Sequence, residues 1–378
     1  MPQRIAILGA GIIGLLSARA LRRRGVSVAL VDAGRPAREA SWAGGGIVSP
    51  LYPWRYPDAV SALARNAQEA YARLAGELRA ECGIDPEYSP CGLLMLEPPD
   101  VDAALRWSRR NNRQVLRYRG DGVALLQPGL GVPVDDALWM PDIGNIRNPR
   151  LLQALLRSLE SDPGVRFFSN ALPRLRVEHG KTRVSIDGED LDCDAVLVSA
   201  GAWTPALLRP LGIGLPVVPV RGQMILFPPQ PGLLRRIVLH EGRYLIPRRD
   251  GRILCGSTLE RAGFDRSPTA AARDSLLATA RRILPALADV APELHWAGLR
   301  PAAPEGIPFI CRLAGDLVVN AGHYRNGLVL APASAQLGVE LLLGECPSID
   351  PEPYTIGAAA AGHSVLSSPV SSPSFCRR

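Results

Sequence analysis

The sequence lacks the cysteine and histidine patterns that mark metal centres and disulfide frameworks. Its seven cysteines are odd in number and widely spaced, and no C-x-x-C occurs among them. No two of the five histidines stand four residues apart, so no helical metal site is predicted. We therefore expect a protein with reduced thiols and without a bound metal.

A membrane-spanning run and a signal peptide are also lacking. No apolar stretch reaches the roughly 18 residues that would cross a bilayer. An apolar strand begins almost at Met1, which leaves no room for a leader. With 378 residues, 47% of them apolar, the chain can form two domains around a large core. These features predict a cytoplasmic globular protein.

The charge balance is basic, with a net charge of +7 and a pI near 9.3. Such an excess is compatible with affinity for nucleic acid or for an anionic membrane. Most of it is arginine in short clusters scattered along the chain, at residues 22–24, 109–110, 235–236 and 248–249. That distribution favours solvated surface arginine, and we do not expect nucleic-acid binding.

The clearest pattern lies between Arg4 and Asp32, where an apolar run, a glycine turn, a stretch with helical spacing and a second apolar run follow one another. In the turn, Gly9 permits a tight bend, Gly11 lets the backbone approach a pyrophosphate, and Gly14 lets the helix close on the strand. An acid roughly 20 residues after the turn binds a ribose. The pattern predicts a βαβ dinucleotide site, for FAD or NAD, that includes Gly9, Gly11, Ile12, Ile13, Gly14 and Asp32.

A second glycine run, Gly44-Gly-Gly46, follows Ser41 and Trp42 and lies between apolar residues. Consecutive glycines would weaken a strand interior, and a flexible linker would have polar surroundings. We therefore expect the backbone here to lie close to something flat or anionic.

The remaining periodicity predicts a discontinuous dinucleotide-binding domain and a second, strand-rich domain. Helical spacing occurs at 57–81, 100–111, 150–159, 270–288 and from about Asn326 to Leu343. Residues 165–168, 172–178 and 182–186 read as antiparallel strands, and the apolar run after Leu191 reads as a return to the nucleotide sheet. The predicted boundaries are 1–85, 145–210 and 295–346 for the first domain, 86–144 and 211–294 for the second, and 347–378 for a disordered tail.

From about residue 4 to 345 the chain resembles the FAD-dependent amino acid oxidases of the D-amino acid oxidase superfamily, and among them the glycine oxidase family. The motifs that carry this resemblance are Gly9-x-Gly-x-x-Gly14, Ser41-Trp-Ala-Gly-Gly-Gly-Ile47, Trp296-Ala-Gly-Leu-Arg-Pro301 and Gly322-His-Tyr-Arg-Asn-Gly-Leu-Val-Leu-Ala-Pro332. The resemblance implies an α/β fold: a Rossmann-like FAD-binding domain of the glutathione-reductase type, plus a substrate domain with a mixed, largely antiparallel sheet.

The resemblance also implies non-covalently bound FAD, and the absence of a second GxGxxG agrees with that choice. Asp32, where the family more often has glutamate, and Ala33 would meet the adenosine ribose, and Arg174 would contact adenine through its backbone. The other implied cofactor contacts lie in the two later motifs: Ala40, Ser41, Gly45, Gly46, Ile47, His323, Tyr324, Arg325, Asn326, Gly327, Leu328 and Val329.

The implied chemistry transfers a hydride from the substrate Cα to flavin, so no residue is assigned as a general base. Arg300 would bind the substrate carboxylate with its guanidinium fork, supported by Arg325 and Tyr244. Ile47 and Leu259 would line the pocket. The helix that starts near Gly327 would stabilise the reduced flavin with its positive end.

The implied reaction is the oxidative deamination of glycine, or of small amines and D-amino acids such as sarcosine and D-alanine. The imine would hydrolyse to glyoxylate or another 2-oxo acid with ammonia, and O2 would be reduced to H2O2. The resemblance further implies a homotetramer and a role in thiamine thiazole synthesis. Three different functions stay open beside it: a D-amino acid dehydrogenase that reduces quinone, an RNA-linked amine oxidoreductase, and a non-catalytic FAD-binding protein.

Overall fold

The computed structural model describes residues 3–357 of the chain. These residues divide into two compact units. Unit 1 contains the residues up to Arg38, Leu155–Val218 and the residues from Pro301 onward, and unit 2 contains Glu39–Ala154 and Pro219–Arg300.

The strands, in chain order, are β1 (Arg4–Leu8), β2 (Ser27–Asp32), β3 (Leu93–Leu96), β4 (Leu116–Arg119), β5 (Asp136–Met140), β6 (Val165–Ser169), β7 (Pro173–Glu178), β8 (Lys181–Ile186), β9 (Glu189–Leu191), β10 (Ala195–Val198), β11 (Val218–Phe227), β12 (Ile237–His240), β13 (Arg243–Pro247), β14 (Ile253–Gly256), β15 (Leu294–Ala302), β16 (Phe309–Ala314) and β17 (Leu317–Ala321).

The α-helices are α1 (Ile12–Arg22), α2 (Ala40–Ala43), α3 (Asp58–Ala64), α4 (Ala67–Cys82), α5 (Val101–Asn111), α6 (Asp121–Leu126), α7 (Asn148–Glu160), α8 (Thr204–Leu208), α9 (Ala270–Ile283) and α10 (Gly327–Leu343). Short 3-10 turns occur at Pro53–Arg55, Gly201–Trp203, Arg209–Leu211, Pro285–Leu287, Pro304–Gly306, Tyr324–Asn326 and Glu352–Tyr354.

Unit 1 is built on a six-stranded sheet with the order β16-β17-β10-β1-β2-β6. All neighbouring pairs from β17 to β6 are parallel, and β16 pairs antiparallel with β17 at the edge. Ile5–Leu8 in the central strand β1 are buried, as expected of a parallel strand covered on both faces. The predicted βαβ unit and the predicted return strand near Ala195 are confirmed.

Helix α10 is the most apolar helix of unit 1. From Tyr324 to Leu343 the chain is long and apolar enough to cross a membrane, but 67% of the apolar window is buried within the structure. Within unit 1 the helix packs against α1 and β17. It is a core helix of this unit by its contacts, and it ends at Gly344, which adopts a left-handed conformation (φ 70°).

Unit 2 is built on an eight-stranded sheet with the order β15-β11-β14-β13-β12-β3-β5-β4. The pairs from β11 to β4 are antiparallel, apart from the parallel pair of β3 and β12. One face packs on α9, whose N-cap Thr269 accepts a hydrogen bond from the N–H of Ala272. The other face packs on α5 and aromatic side chains. The predicted α/β fold class, with a mixed and largely antiparallel second sheet, is confirmed.

Several predicted elements differ from the structure. Strand β6 does not join an antiparallel set: it pairs parallel with β2, and only β7, β8 and β9 form the separate antiparallel sheet. Its sequence Val-Arg-Phe-Phe-Ser alternates weakly, so periodicity alone could not assign its partner. The helix predicted over 57–81 is two helices, α3 and α4, separated at Arg65 and Asn66.

The division into units differs from the predicted domain boundaries at residues 39–85, 145–154, 211–218 and 295–300. The first two stretches and the last belong to unit 2, and the third belongs to unit 1. The predicted boundaries describe which residues bind cofactor or substrate, whereas the units describe which residues pack together. The functional assignment of these segments remains a prediction.

The predicted disordered tail begins too early. Ser348 donates from both its N–H and its hydroxyl to the Glu340 carboxylate, and Tyr354 is buried against unit 1. The stretch is rich in proline and lacks apolar periodicity. A single buried aromatic residue, Tyr354, does not form a pattern that sequence analysis can detect. Residues 347–357 are therefore ordered, and the rest of the predicted tail lies outside the described residues.

Candidate functional site

In unit 1 the glycine turn lies at the carboxyl end of β1. Strand β1 lies between β2 on one side and β10 on the other. The chain reaches β2 and β10 by crossovers that run in opposite directions across the sheet. The edge at the carboxyl ends of these strands is therefore a topological switch point, where open α/β sheets bind ligands.

Backbone packing makes two of the glycines in this turn obligatory. Gly9 adopts φ 108°, and a Cβ there would lie 2.5 Å from the carbonyl oxygen of Ser199. A Cβ on Gly14 would lie 2.0 Å from the carbonyl oxygen of Gly9. The Ser199 hydroxyl donates to that same carbonyl at 3.0 Å. Only glycine fits both positions, so α1 starts directly against the end of β1.

Helix α1 begins with no side-chain cap and no acidic residue in its first turn. Gly11 is the N-cap residue, with extended backbone geometry and no side chain to cover the helix end. The N–H groups of the first turn and the positive end of the helix dipole thus favour an anion. This arrangement suits the pyrophosphate of a dinucleotide, at the predicted positions Gly11, Ile12, Ile13 and Gly14.

Asp32 ends β2 and lies next to the turn. Its carboxylate accepts the N–H of Ala10 and that of Gly34, both at 2.9 Å, one on each oxygen. Each oxygen keeps a further lone pair for a ribose hydroxyl. The neighbouring Ala33 is exposed, as is Arg174, which lies opposite Ser185 in the separate sheet.

The start of α10 carries two buried polar side chains without partners. His323 is 2% exposed and its Nε2 has no hydrogen-bond partner, and the Nδ2 of the N-cap residue Asn326 is in the same situation. A Cβ on Gly327 would lie 3.5 Å from the Cβ of His323, which places that side chain beside the helix end. Burial lowers the pKa of His323 to about 3, so it is neutral. Unmet polar atoms here fit a polar ligand edge.

The other predicted residues of this segment surround the same helix end. Tyr324 adopts φ 49° and opens the 3-10 turn that leads into α10, and Arg325 lies in that turn, half-buried. Gly327 and Leu328 are half-buried, and Val329 is buried in the first helical turn.

In unit 2 the glycine run is held by a buried arginine. Arg248, 8% exposed, donates to the Gly45 carbonyl oxygen at 2.8 Å, to Asn145 Oδ1 at 2.9 Å and to the Ile146 carbonyl oxygen at 3.1 Å. Gly46 adopts φ 85°, and a Cβ there would lie 2.0 Å from the Ile146 carbonyl oxygen. Burial lowers the pKa of Arg248 to about 10, so it is still charged at neutral pH.

The assignment of Arg248 to the solvated surface is therefore wrong. Its neighbour Arg249 is exposed and pairs with Asp85, so the two arginines of one cluster have opposite environments. Both residues follow the end of β13 at Pro247, and their charge alone does not tell which side chain is buried.

The preceding part of this segment is fixed by side chains from elsewhere in unit 2. The Asn148 side chain donates to the Ser41 carbonyl oxygen at 2.7 Å, and the Trp296 indole donates to the Ala43 carbonyl oxygen at 3.1 Å. Trp42 also meets Trp296 edge-on, with 5.8 Å between ring centroids. Ala40 and Ser41, both half-buried, lie in the short helix α2.

Tyr244 packs between two glycines. A Cβ on Gly45 would lie 3.1 Å from its ring, and a Cβ on Gly256, its partner across β13 and β14, would lie 2.9 Å from it. The ring is 6% exposed, and the half-buried Ile47 packs against the same core cluster. The glycine run, Tyr244 and Ile47 thus belong to one neighbourhood.

Arg300 projects from β15 over the backbone of β11. Its Nη1 donates to the Thr258 carbonyl oxygen at 3.1 Å and its Nη2 to the Ser257 hydroxyl at 2.8 Å. A Cβ on Gly222 would lie 1.9 Å from Nη1, so this position must stay glycine for the guanidinium to lie where it does. The predicted pocket residue Leu259 directly follows Thr258 in sequence and is 50% exposed.

Unit 2 therefore brings together Gly45, Tyr244 and Arg300, which are far apart in sequence. Ser257, bonded to Arg300, follows Gly256, which contacts Tyr244. In unit 1 the turn residues and Asp32 share the sheet edge. The sequence interpretation missed Ser199, Gly222, Arg248 and Ser257, because none lies in a motif and each acts through a contact with a distant segment. Across residues 3–357, no group of three or more His, Cys, Asp or Glu residues could hold a metal ion.

Together, the glycine turn at the switch point and the uncapped helix end define a dinucleotide-binding protein of the Rossmann class. The chain belongs to the FAD dependent oxidoreductase family, whose model matches residues 4–341. FAD is thus its cofactor, and the turn, Asp32 and the unpartnered atoms at α10 fit such a dinucleotide.

Individual relatives are similar over nearly the whole chain. A glycine oxidase from Pseudomonas aeruginosa is 49% identical over 94% of this chain and 98% of its own length. The crystal structure of glycine oxidase from Geobacillus kaustophilus superimposes with a TM-score of 0.89 at 26% identity and covers 94% of this chain and 99% of that one. The bifunctional protein ThiO/ThiG of Synechocystis is 32% identical, over 90% of this chain and 52% of its own length.

Proposed function

We propose that this chain oxidatively deaminates glycine and other small amino acids with O2 as electron acceptor. The observation that carries the proposal is Arg300, whose guanidinium is held by Ser257 and Thr258 above the obligatory Gly222. A fixed guanidinium fork is the group that orients a carboxylate in position and plane. The 49% identity to a glycine oxidase supports the choice of substrate.

The residues of unit 2 have separate tasks in this proposal. Arg300 binds the substrate carboxylate, and the Tyr244 hydroxyl donates to it. Ile47 and Leu259 limit the space around the substrate Cα, which favours glycine, sarcosine and D-alanine. Arg325, at the start of α10 in unit 1, keeps its predicted role as a substrate contact.

The reaction converts glycine, O2 and water to glyoxylate, ammonia and H2O2. FAD, when bound, would supply the two-electron redox chemistry that couples oxidation of the substrate to reduction of O2. The substrate amine must be neutral for its oxidation, and the protein needs no general base to reach this state. Burial lowers the pKa of His323 to about 3, which makes this side chain a weak base, and we assign it no role in proton transfer.

We propose non-covalent cofactor binding at the predicted positions. Gly9, Gly11, Ile12, Ile13 and Gly14 hold the pyrophosphate, and Asp32 and Ala33 hold the ribose, with Arg174 near adenine. In unit 2 the predicted flavin contacts are Ala40, Ser41, Gly45, Gly46 and Ile47. In unit 1 they are His323, Tyr324, Arg325, Asn326, Gly327, Leu328 and Val329.

The biological setting follows from the relatives. A protein named ThiO/ThiG is 32% identical to this chain, which supports a role in making the thiazole of thiamine. We propose a cytoplasmic homotetramer that uses neither metal nor nucleic acid.

The test is anaerobic mixing of the purified yellow protein with glycine, sarcosine and D-alanine separately, followed by admission of air. Prompt bleaching of the flavin by glycine, then rapid reoxidation with one H2O2 per glyoxylate, is expected. Bleaching by D-alanine with slow reoxidation, and rapid turnover with an artificial dye, would favour a quinone-reducing dehydrogenase instead.

Two further outcomes would point to a function other than amino acid oxidation. No bleaching by any of the three amines, together with RNA binding that weakens steeply with salt, would favour an RNA-linked amine oxidoreductase. An unchanged flavin spectrum with every amine would indicate a protein that binds FAD without catalysis.

A further inference from the structure

The segment that follows β14 carries an acidic residue whose partners all serve to fix that segment. Glu260 comes two residues after Thr258, whose carbonyl oxygen binds Arg300, and directly after Leu259. Its backbone pairs with Arg221 of β11 in both directions, with N–H to oxygen distances of 2.9 Å. The backbone of this segment is thus an added edge on β11.

The Glu260 carboxylate pairs with a buried arginine through two hydrogen bonds. Arg221, 7% exposed, donates from Nε at 3.0 Å and from Nη2 at 2.6 Å to one oxygen of Glu260. Its Nη1 donates to Asp265 at 2.6 Å and to the Ser267 carbonyl oxygen at 3.1 Å. All three guanidinium nitrogens are therefore engaged in the segment 260–267.

Two neutral side chains complete the network around Glu260. Gln223, fully buried, donates from Nε2 to both carboxylate oxygens, at 2.9 and 3.2 Å, and accepts the N–H of Thr269. The Thr258 hydroxyl donates to Oε1 of Glu260, the oxygen that Arg221 does not bind, and accepts the N–H of Gln223 at 2.9 Å. Glu260 thus ties Thr258 to the neighbouring strand.

This network is continuous with the guanidinium that we assign to the substrate. The Thr258 residue that bonds Glu260 through its hydroxyl bonds Arg300 through its carbonyl oxygen, and the preceding Ser257 bonds Arg300 through its own hydroxyl. Residues 257 and 258 therefore connect the carboxylate of Glu260 to the guanidinium of Arg300.

We propose that Glu260, held by Arg221, is a positioning residue that sets the orientation of the Arg300 guanidinium and the placement of Leu259. The proposal rests on the proposed function, because it assigns Arg300 to the substrate carboxylate. The Glu260 carboxylate is engaged by Arg221, Gln223 and Thr258. It acts through Thr258, whose carbonyl oxygen turns with its peptide when the carboxylate no longer holds the hydroxyl.

The physical basis is the strength of charge-assisted hydrogen bonds to a buried arginine. Replacing Glu260 by glutamine keeps the shape but leaves Arg221 without the carboxylate that accepts its Nε and Nη2 hydrogen bonds. It also turns one carboxylate oxygen from an acceptor into an NH2 donor that faces other donors. A small rotation of a two-pronged guanidinium weakens both hydrogen bonds to a planar carboxylate at once.

The experiment compares holoenzymes of the parent, Glu260→Gln, Arg300→Lys and Glu293→Gln. Glu293→Gln is the matched control: the same chemical change in unit 2, in an ion pair with Arg252 that contacts no predicted substrate residue. Acetate, which carries a carboxylate but no amine, is titrated against the flavin absorbance of each. FAD content and Tm are measured in parallel.

For Glu260→Gln we expect acetate to bind about 10-fold more weakly, and KM for glycine to rise by a similar factor. We expect kcat within about twofold of the parent and an unchanged FAD content, because only ground-state positioning is lost. Glu260→Asp, which restores the charge, should recover part of the acetate affinity. Glu293→Gln should behave as the parent.

The outcomes separate this inference from the proposed function. If Arg300→Lys binds acetate as tightly as the parent, the substrate site itself is wrong and this inference falls with it. If Arg300→Lys is weakened but Glu260→Gln matches Glu293→Gln, the positioning role is wrong while the proposed function stands. A loss of FAD or of Tm in Glu260→Gln, with no recovery in Glu260→Asp, would also overturn it in favour of a structural role.

Discussion

The candidate sites of the two units are built by different means. In unit 1 the important contacts are made by backbone and lie within a short stretch of sequence, from Gly9 to Asp32. In unit 2 they are made by side chains from four separate segments, since Tyr244, Ser257 and Arg300 come together with Gly45 only in the folded sheet. The glycine run of unit 2 combines both means. Its glycines leave the backbone without side chains, and the side chain of Arg248 holds that backbone in place.

The difference explains why a family of enzymes can share a cofactor and differ in substrate. Backbone recognition fixes the residue type to glycine and tolerates no side chain, whereas strand-borne side chains can change without altering the fold. We therefore expect mutations in the glycine turn of unit 1 to affect FAD binding, and mutations of Tyr244 and Arg300 in unit 2 to affect the choice and affinity of the substrate.

The largest effect is expected for Arg248→Met. The change leaves three buried acceptors, on Gly45, Asn145 and Ile146, without their donor. Unmet buried acceptors cost about 1–3 kcal/mol each when they find no water, so we expect a loss of about 3 kcal/mol of unfolding free energy. Urea unfolding measures it. The adjacent Arg249→Met, at an exposed ion pair, should cost about 1 kcal/mol or less, and equal losses in both variants would refute the buried role.

Gly14→Ala is expected to weaken FAD binding by about 10- to 100-fold, because its Cβ would lie 2.0 Å from the Gly9 carbonyl oxygen and must push α1 away from the turn. Titration of the apoprotein with FAD, followed by quenching of flavin fluorescence, gives the affinity. Gly315→Ala is the control in unit 1, because its Cβ would meet nothing within 4 Å. Unchanged FAD affinity in Gly14→Ala would show that the turn does not hold the cofactor.

His323→Leu separates a side chain that serves the cofactor from one that serves the core. Its Nε2 is buried without a partner, so an apolar replacement should leave the apoprotein as stable as before or slightly more stable. FAD affinity should fall by about 10-fold, because a hydrogen bond to the cofactor is lost. A lower apoprotein Tm together with unchanged FAD affinity would assign His323 to packing.

The smallest effect is the loss of unfolding free energy that we expect in acid, and this loss should differ between the units. Hydrogen bonds from Arg55 and Arg117 lower the pKa of Asp100 and Asp136, and Arg22 does the same for Asp162. The carboxyls with lowered pKa are Asp85, Asp100, Asp136, Glu241, Asp250, Glu260 and Asp265 in unit 2, and Asp162, Asp190 and Asp194 in unit 1.

A carboxyl whose folded pKa is depressed contributes stability above its unfolded pKa and loses it as the pH falls through the folded value. Unit 2 should therefore lose more stability than unit 1 as the pH falls below about 4. Tryptophan fluorescence reports mainly on unit 2, which contains all the tryptophans except Trp203. Its thermal transition should move ahead of the far-UV circular dichroism signal in acid. Coincident shifts at every pH would contradict the difference between units.

Much of unit 1 could be predicted from sequence, and the reasons are local. The strand, turn and helix from Arg4 to Arg22 follow from apolar periodicity and glycine spacing, and β10 follows from a buried run after Leu191. The partner of β6 could not be predicted, because parallel pairing depends on a segment more than a hundred residues away. The order of residues 347–357 was missed because it depends on one buried tyrosine.

In unit 2 a strand-rich domain could be predicted, but the contacts between its strands could not. Nothing near Arg248 marks it as buried, and its partners Gly45 and Asn145 are more than one hundred residues away. Gly222 looks like an ordinary strand glycine until Arg300 is placed over it. Such positions depend on register across the sheet, which sequence patterns specify only through the buried face.

The most direct test of the account is the rate of flavin bleaching on anaerobic rapid mixing with glycine, compared between the parent and Arg300→Lys. The parent and Arg300→Lys should carry the same amount of FAD. Arg300→Lys should need about 10- to 100-fold more glycine for half-maximal bleaching, because lysine lacks the two-pronged geometry. Bleaching that saturates at the same glycine concentration in both proteins would contradict the account, as would a loss of FAD from Arg300→Lys.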